Sequence, residues 1–201
     1  MFKKILVANR GEIAVRILRT CRDLGLLTVA VYERPDRGSL HVRLADEAVE
    51  LTSPAGFSDA AALLAIARQT GADAVHPGYG FLAEQADFSA ACQAAGLAFI
   101  GPPAAVTAIL RDKITTLTAA RAYGYPTLPY SMRAFAAGET DALRAEADRL
   151  GYPVVIKALI GGRGRGERLA RDPERLAEAL ERAQAEAQAI YADPRVYLEK
   201  A

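Results

Sequence analysis

Apolar and polar positions along the chain fall into two differently patterned parts. Lys3–Ala8, "KKILVA", is a continuous apolar run of strand length, followed by the polar turn "NRGE". Ile13, Ile17, Leu18, Cys21 and Leu24 then recur at helical spacing until Gly25, which stops the helix. "TVAVYE" (Thr28–Glu33) reads as the next strand. "DRGSLHVRLADEAVEL" gives a short helix and a strand near Ala48–Leu51. Ser58 is placed to cap a helix that runs to about Thr70 and ends at Gly71. "DAVHPGYG" is a strand running into a loop, and a helix stopped by Gly96 leads to the strand "AFIGP". Repeated strand–helix alternation predicts an α/β fold, a doubly wound parallel sheet over residues 1–112. Ligands of such sheets sit beyond the carboxyl ends of the strands, where "ANRGE", "HPGYG" and "IGPP" fall.

The pattern changes after Pro103. "AAVTAILRDKITTLTAARAYG" is a helical stretch, and "YPTLPY" reads as a proline-containing linker, so 113–130, a linker helix and the proline-containing linker, is expected to connect two domains. A helix around Thr140–Leu150, the strand "PVVIKA", a glycine loop, the short strand "ERLA", a helix from Pro173 to about Tyr191 capped by Asp172, and the strand "RVYLEK" follow. This order differs from the first part and places a small α+β subdomain at 131–201. The chain stops at the last strand without a tail, as a cut through a longer protein would.

The glycine loop, "VVIKALIGGRGRGERLA", carries Gly161, Gly162, Gly164 and Gly166 after the apolar run that ends in Lys157. No Lys-Ser or Lys-Thr follows the last glycine, so it is not a Walker loop. The glycines alternate and no helix starts directly after them, so it is not a dinucleotide fingerprint either. It joins two strands as a hairpin tip. Backbone N–H groups freed by glycine can converge on one anion, and a hairpin tip can close over phosphates. A surface hairpin whose arginines serve solubility is the other reading of the same residues.

Composition narrows the function classes. Of 201 residues, 51% are apolar, enough for a sizeable core; 25 basic and 24 acidic residues leave a formal charge of +1. No field of one sign draws the chain to nucleic acid or an anionic membrane. No apolar run reaches the ~18 residues of a membrane helix, and the N-terminus lacks the pattern of a signal peptide. Cys21 and Cys92 sit in apolar helical patterns, as buried thiols of a reducing cytoplasm do. Two histidines and two cysteines show no metal-ligand spacing.

"ILVANRGEIAVRILRTCRDLG", "HVRLADEAV", "HPGYGFLAE", "FIGP", "RDKI", "GYPVVIKA", "GGRGRG" and "YLEK" occur in this order. Together they resemble the N-terminal part of biotin carboxylases. The resemblance spans essentially the whole chain but only the first part of a complete family member. It implies a pre-ATP-grasp, Rossmann-like domain over 1–112 and a truncated ATP-grasp lid subdomain over 131–201. It also implies an ATP-dependent ligase that carboxylates biotin on a carrier protein by way of carboxyphosphate, with Mg²⁺ or Mn²⁺. Such enzymes serve acetyl-CoA carboxylase in fatty acid biosynthesis, or pyruvate, propionyl-CoA and related carboxylases. The implied partners are a biotin carboxyl carrier protein or domain, a carboxyltransferase and a second copy of the enzyme, in the cytoplasm, with no nucleic acid and no membrane.

By the same resemblance, Lys113 and Lys157 are expected on ATP phosphates, and Gly161, Gly162, Gly164 and Gly166 in the lid. Glu199 and Lys200 are expected along the adenine, where a carboxylate and backbone groups read the exocyclic amine. His76 and Glu84 are expected to support the loop facing the cleft. Arg16 and Arg19 fit either a subunit interface or a solvated helix face. The family's metal carboxylates and bicarbonate-binding residues lie beyond the part resembled, so neither a catalytic residue nor a metal ligand is expected among these 201. The chain departs from the family at Leu159, Ile160, Arg163 and Glu167. Glu167 stands where an apolar residue, commonly Met, packs near the base; a carboxylate there counts against tight ATP binding, not against the fold. Two further readings stand beside the ligase. One is a non-catalytic nucleotide-binding or interaction fragment of the same fold. The other is a dinucleotide-dependent oxidoreductase, for which "ANRGEI" supplies one glycine where three are needed.

Overall fold

The computed structural model describes every residue except Met1, Gly162 and Arg163. It divides into two units, 1–108 and 109–201. In the first, β1 (Lys4–Val7), β2 (Leu27–Tyr32), β3 (Glu47–Glu50), β4 (Ala74–His76) and β5 (Ala98–Phe99) form a parallel sheet in the order β3-β2-β1-β4-β5. The helices are α1 (Gly11–Asp23), α2 (Leu40–Leu44), α3 (Ala60–Thr70) and α4 (Ala86–Ala94).

The continuous apolar runs of β1 and β2 reflect a sheet covered on both faces. With a side-chain period of two, Leu6 and Ala8 join Val29, Val31 and Val75 against Leu63 and Ile66 of α3 and Phe88 and Cys92 of α4. Ile5, Val7 and Ala74 face the other way, onto Ala14, Leu18 and Cys21 of α1. Both cysteines are buried free thiols, and burial raises the pKa of each, Cys92 to about 11. The edge strand β3, "EAVE", is partly exposed and charged, which discourages further strand pairing.

Strand order reverses between β1 and β4, so the loops after these strands lie side by side. Wholly buried Asn9 ties them together. Its Nδ2 donates to the Pro77 and Tyr79 carbonyls at 2.7 and 2.9 Å.

Two expectations are corrected here. Asp59, not Ser58, caps α3: its carboxylate accepts from Ala62 N at 2.9 Å and from the Ser53 hydroxyl, while Ser58 ends a 3₁₀ turn. The helical stretch after Pro103 is two helices, α5 (Ala104–Arg111) and α6 (Lys113–Ala122). Asp112 adopts extended backbone and caps α6 by accepting from Thr115 N.

The second unit takes in α6 and residues 123–130, the segment expected as a linker. Thr118 and Tyr130 share a hydroxyl hydrogen bond of 3.1 Å, and Lys200 N donates to Pro129 O. Beyond them lie α7 (Thr140–Leu150), β6 (Val154–Ala158), β7 (Arg168–Ala170), α8 (Pro173–Tyr191) and β8 (Val196–Lys200). β6 is the centre of an antiparallel sheet ordered β7-β6-β8. Asp172 caps α8 as the sequence implies, accepting from Arg175 N at 3.0 Å. The core lies on one face of this sheet: Val154, Ile156, Val196 and Leu198 meet Leu143 and Ala147 of α7 and Leu176 and Leu180 of α8.

The first unit holds both histidines, His41 wholly buried and His76 half-buried, and burial lowers the pKa of each. The unfolded chain therefore binds protons that the folded chain refuses. Stability conferred by the neutral rings is full above pH ~6.5 and is lost as pH falls through the folded-state values. Urea unfolding midpoints should drop as pH is lowered from 7 to 5, with a slope of up to about 1.4 kcal/mol per pH unit per histidine. His41→Gln should flatten that slope.

Candidate active site

With its helices on one face, the β7-β6-β8 sheet turns its alternate residues to the other. Val154, Ile156 and Ala158 of β6 point into the core, so Val155 and Lys157 point away. The same parity in β8 buries Val196 and Leu198 among the helices and sets Tyr197 and Glu199 beside Lys157. Lys157 is directly opposite Tyr197 in the ladder and diagonal to Glu199.

The resulting cluster is compact. Lys157 Nζ donates to Glu199 Oε2 at 3.1 Å, and the Tyr197 hydroxyl donates to Glu199 Oε1 at 2.5 Å. Burial, then the Glu199 carboxylate, pushes the Tyr197 pKa up strongly, so the phenol stays a donor. On the other side of β6, continuing the β6–β7 register by one residue brings Glu167 alongside, its Oε1 3.8 Å from Lys157 Nζ.

Lys113 enters from the first turn of α6. Its N–H donates to Leu159 O at 3.2 Å and its Nζ to Ala158 O at 2.6 Å, so it is pinned where β6 becomes the glycine loop. Burial first, then the Lys157 ammonium, lowers the Lys113 pKa, and Glu167 and Glu199 oppose that shift. The cluster thus holds two ammonium groups and two carboxylates around one phenol.

The loop's glycines are required locally. Gly161 has φ +85°, and a Cβ on it would run into the ring of Tyr191 at the end of α8. Gly166 has φ +70°, and a Cβ there would lie 2.9 Å from Ala158 Cβ. Gly164 is exposed in the loop. The expectations for Gly162 and Arg163 fall outside the described residues.

Five of the expected residues, Lys113, Lys157, Gly161, Gly166 and Glu199, gather around this end of β6. Lys200 does not send its side chain there. Sharing the parity of Leu198, it turns back to donate from Nζ to the carbonyls of Gly151 and Tyr152 at 2.8 Å, a cation on the C-terminal end of α7. Tyr197 was not singled out in the sequence, although alternation within "VYLEK" places it on the face of Glu199. In the first unit, His76 Nδ1 accepts from Gly78 N at 3.1 Å and shapes its loop; Glu84 is exposed in a 3₁₀ turn, and Arg16 and Arg19 are exposed on α1.

Among the described residues no three His, Cys, Asp or Glu side chains group as metal ligands. The two carboxylates of the cluster have a lysine between them, which does not suit a divalent cation. No helix among the described residues is long and apolar enough to cross a membrane.

Comparison with known proteins gives both units a class. Residues 105–201, which carry Lys113 and Lys157, match the family described as "Carbamoyl-phosphate synthase L chain, ATP binding domain". Residues 1–107 match "Biotin carboxylase, N-terminal domain", and the chain belongs to the biotin carboxylase family. A biotin carboxylase of Pseudomonas aeruginosa is 46% identical over 203 aligned residues, covering 100% of this chain and 45% of that protein. Two solved structures are similar over 100% of the chain. One is the biotin carboxylase domain dimer of Hydrogenobacter thermophilus 2-oxoglutarate carboxylase with MgADP, ADP and bicarbonate (TM-score 0.94, 40% identity, 44% of that chain). The other is a Campylobacter jejuni biotin carboxylase–β,γ-ATP complex (TM-score 0.93, 35% identity, 45% of that chain). The chain thus spans less than half the length of these relatives.

Two substitutions separate structural from ligand roles. Gly166→Ala should destabilise the second unit by about 1–3 kcal/mol, since left-handed backbone and a close Cβ contact are both penalised. Lys200→Met should cost about 1 kcal/mol through lost helix-end contacts while leaving nucleotide affinity unchanged. Urea unfolding and calorimetric titration with ATP measure the two quantities.

Proposed function

We propose that these residues form the phosphate-gripping part of a biotin carboxylase, in which ATP- and bicarbonate-dependent chemistry carboxylates biotin on a carrier protein by way of carboxyphosphate. The observation that carries this reading is geometric: Lys113 Nζ donates to Ala158 O at 2.6 Å, next to Lys157 on β6, so both lysines stand where β6 enters the glycine loop. Two ammonium groups forced together gain most from a polyvalent anion. Lys157 and Lys113 would neutralise phosphate oxygens, and N–H groups of the 161–166 loop would donate to them. Glu199, oriented by Tyr197, would accept from the exocyclic amine of adenine beside the backbone of Glu199 and Lys200. Mg²⁺ or Mn²⁺ would be held by carboxylates outside this set and would supply charge neutralisation for the phosphates. The partners are a biotin carboxyl carrier protein or domain, a carboxyltransferase and a second copy of the enzyme, in the cytoplasm. The final acceptor belongs to the carboxyltransferase, whether acetyl-CoA or another.

The second reading, a nucleotide-binding fragment without turnover, is favoured by coverage: the 201 residues align with 45% of a related biotin carboxylase. Positioning and charge stabilisation provide most of the rate in such chemistry, and half a site lacks both.

In a protein of full family length, bicarbonate- and biotin-dependent ATP hydrolysis should fall roughly 10- to 100-fold in Lys157→Ala, the effect of losing one charge-assisted phosphate contact of ~1.5–3 kcal/mol. Unchanged turnover and Michaelis constant would remove Lys157 from the site. The 201-residue chain alone should release no phosphate in response to bicarbonate, and release above that of a Lys113→Ala/Lys157→Ala variant would overturn the fragment reading.

A further inference from the structure

We propose that Glu167 is the internal competitor for the anion site, a carboxylate that occupies the phosphate-facing side of Lys157 and must yield before a polyphosphate binds. The inference rests on the nucleotide reading above and adds the residue that sets how readily the site accepts anions.

Among the described residues, four charged groups and one phenol face one another here: Lys113 from α6, Lys157 from β6, Glu167 ahead of β7, and Tyr197 and Glu199 from β8. Counted as formal charges they cancel, so the site as folded has little net attraction for an anion. The two carboxylates are not equivalent. Glu199 is 13% exposed and doubly held, by Lys157 at 3.1 Å and by the Tyr197 hydroxyl. Glu167 is 36% exposed and lies 3.8 Å from Lys157 at the foot of the glycine hairpin. The looser, more exposed partner is the one a phosphate can replace.

The exchange is a competition of like with like. A phosphate oxygen and the Glu167 carboxylate seek the same ammonium and repel each other at short range. Binding therefore carries the cost of moving Glu167 outward, a rotation its exposure and its position beside Gly164 and Gly166 permit. An uncharged side chain at 167 would leave the cluster one unit more positive and the ammonium of Lys157 open.

The test is calorimetric titration of the 201-residue chain with inorganic tripolyphosphate, a probe without base or bicarbonate. Four proteins are compared: the parent, Glu167→Gln, Lys157→Met and the double variant, each checked by circular dichroism. Glu167→Gln should bind about threefold to tenfold more tightly than the parent, with the gain shrinking as salt is raised. In the Lys157→Met background the same substitution should bring little further gain. Equal or weaker binding by Glu167→Gln, a gain that persists without Lys157, or no binding by any of the four would each overturn the proposal. Failure here would leave the Lys157→Ala effect on ATP hydrolysis intact, whereas failure of the nucleotide reading would remove that effect and leave the tripolyphosphate result standing.

Discussion

Everything proposed for the second unit depends on a sheet whose apolar core lies on one face. In β6 and β8 a period of two sends Val154, Ile156, Val196 and Leu198 into a core wholly shielded from water. The same period leaves Lys157, Tyr197 and Glu199 on the opposite face, where charged groups keep some contact with solvent. A one-residue slip of either strand would bury a lysine or a glutamate among leucines, at a cost far above any gain from the ion pair. Packing of the core thus fixes the register, and the register fixes which polar side chains meet. The Lys157–Glu199–Tyr197 arrangement follows from burial on the far side of the same strands.

The two units show how far periodicity carries. The strands and helices of the first unit were legible because continuous apolar runs, helical spacing and left-handed glycines such as Gly71 are local signals. The break between α5 and α6 was not, because Asp112 acts through a side-chain cap inside an otherwise helical composition. The choice of Asp59 over Ser58 was equally hidden, since it depends on Ser53 lying within reach of the carboxylate. Residues 123–130 read as a linker from their prolines, yet they fall within the second unit, and Pro129 and Tyr130 pair with β8.

For the candidate site, the sequence offered residue types without directions. Lys157, Lys113 and Glu199 were reached through a family resemblance, and the fold places all three at one end of β6. For Lys200 the resemblance implies a backbone role, and strand alternation turns its side chain away from the cluster to the end of α7. Tyr197 could have been found from the same alternation. Glu167 reads in the sequence as a misplaced charge, and only the β6–β7 register shows it beside Lys157.

The measurement that bears most directly on the site is a nuclear magnetic resonance titration of the chain with ATP, resolved by residue. ATP should shift the resonances of Lys113, Lys157, Tyr197 and Glu199 and the amides of Gly161, Gly164 and Gly166. It should leave Val154, Ile156 and Leu198, on the helix-covered face, nearly unmoved. Shifts confined to the loops after β1 and β4 in the first unit, or to the exposed Tyr123–Leu128 segment, would place the nucleotide elsewhere and contradict the assignment of β6 and β8 as its floor.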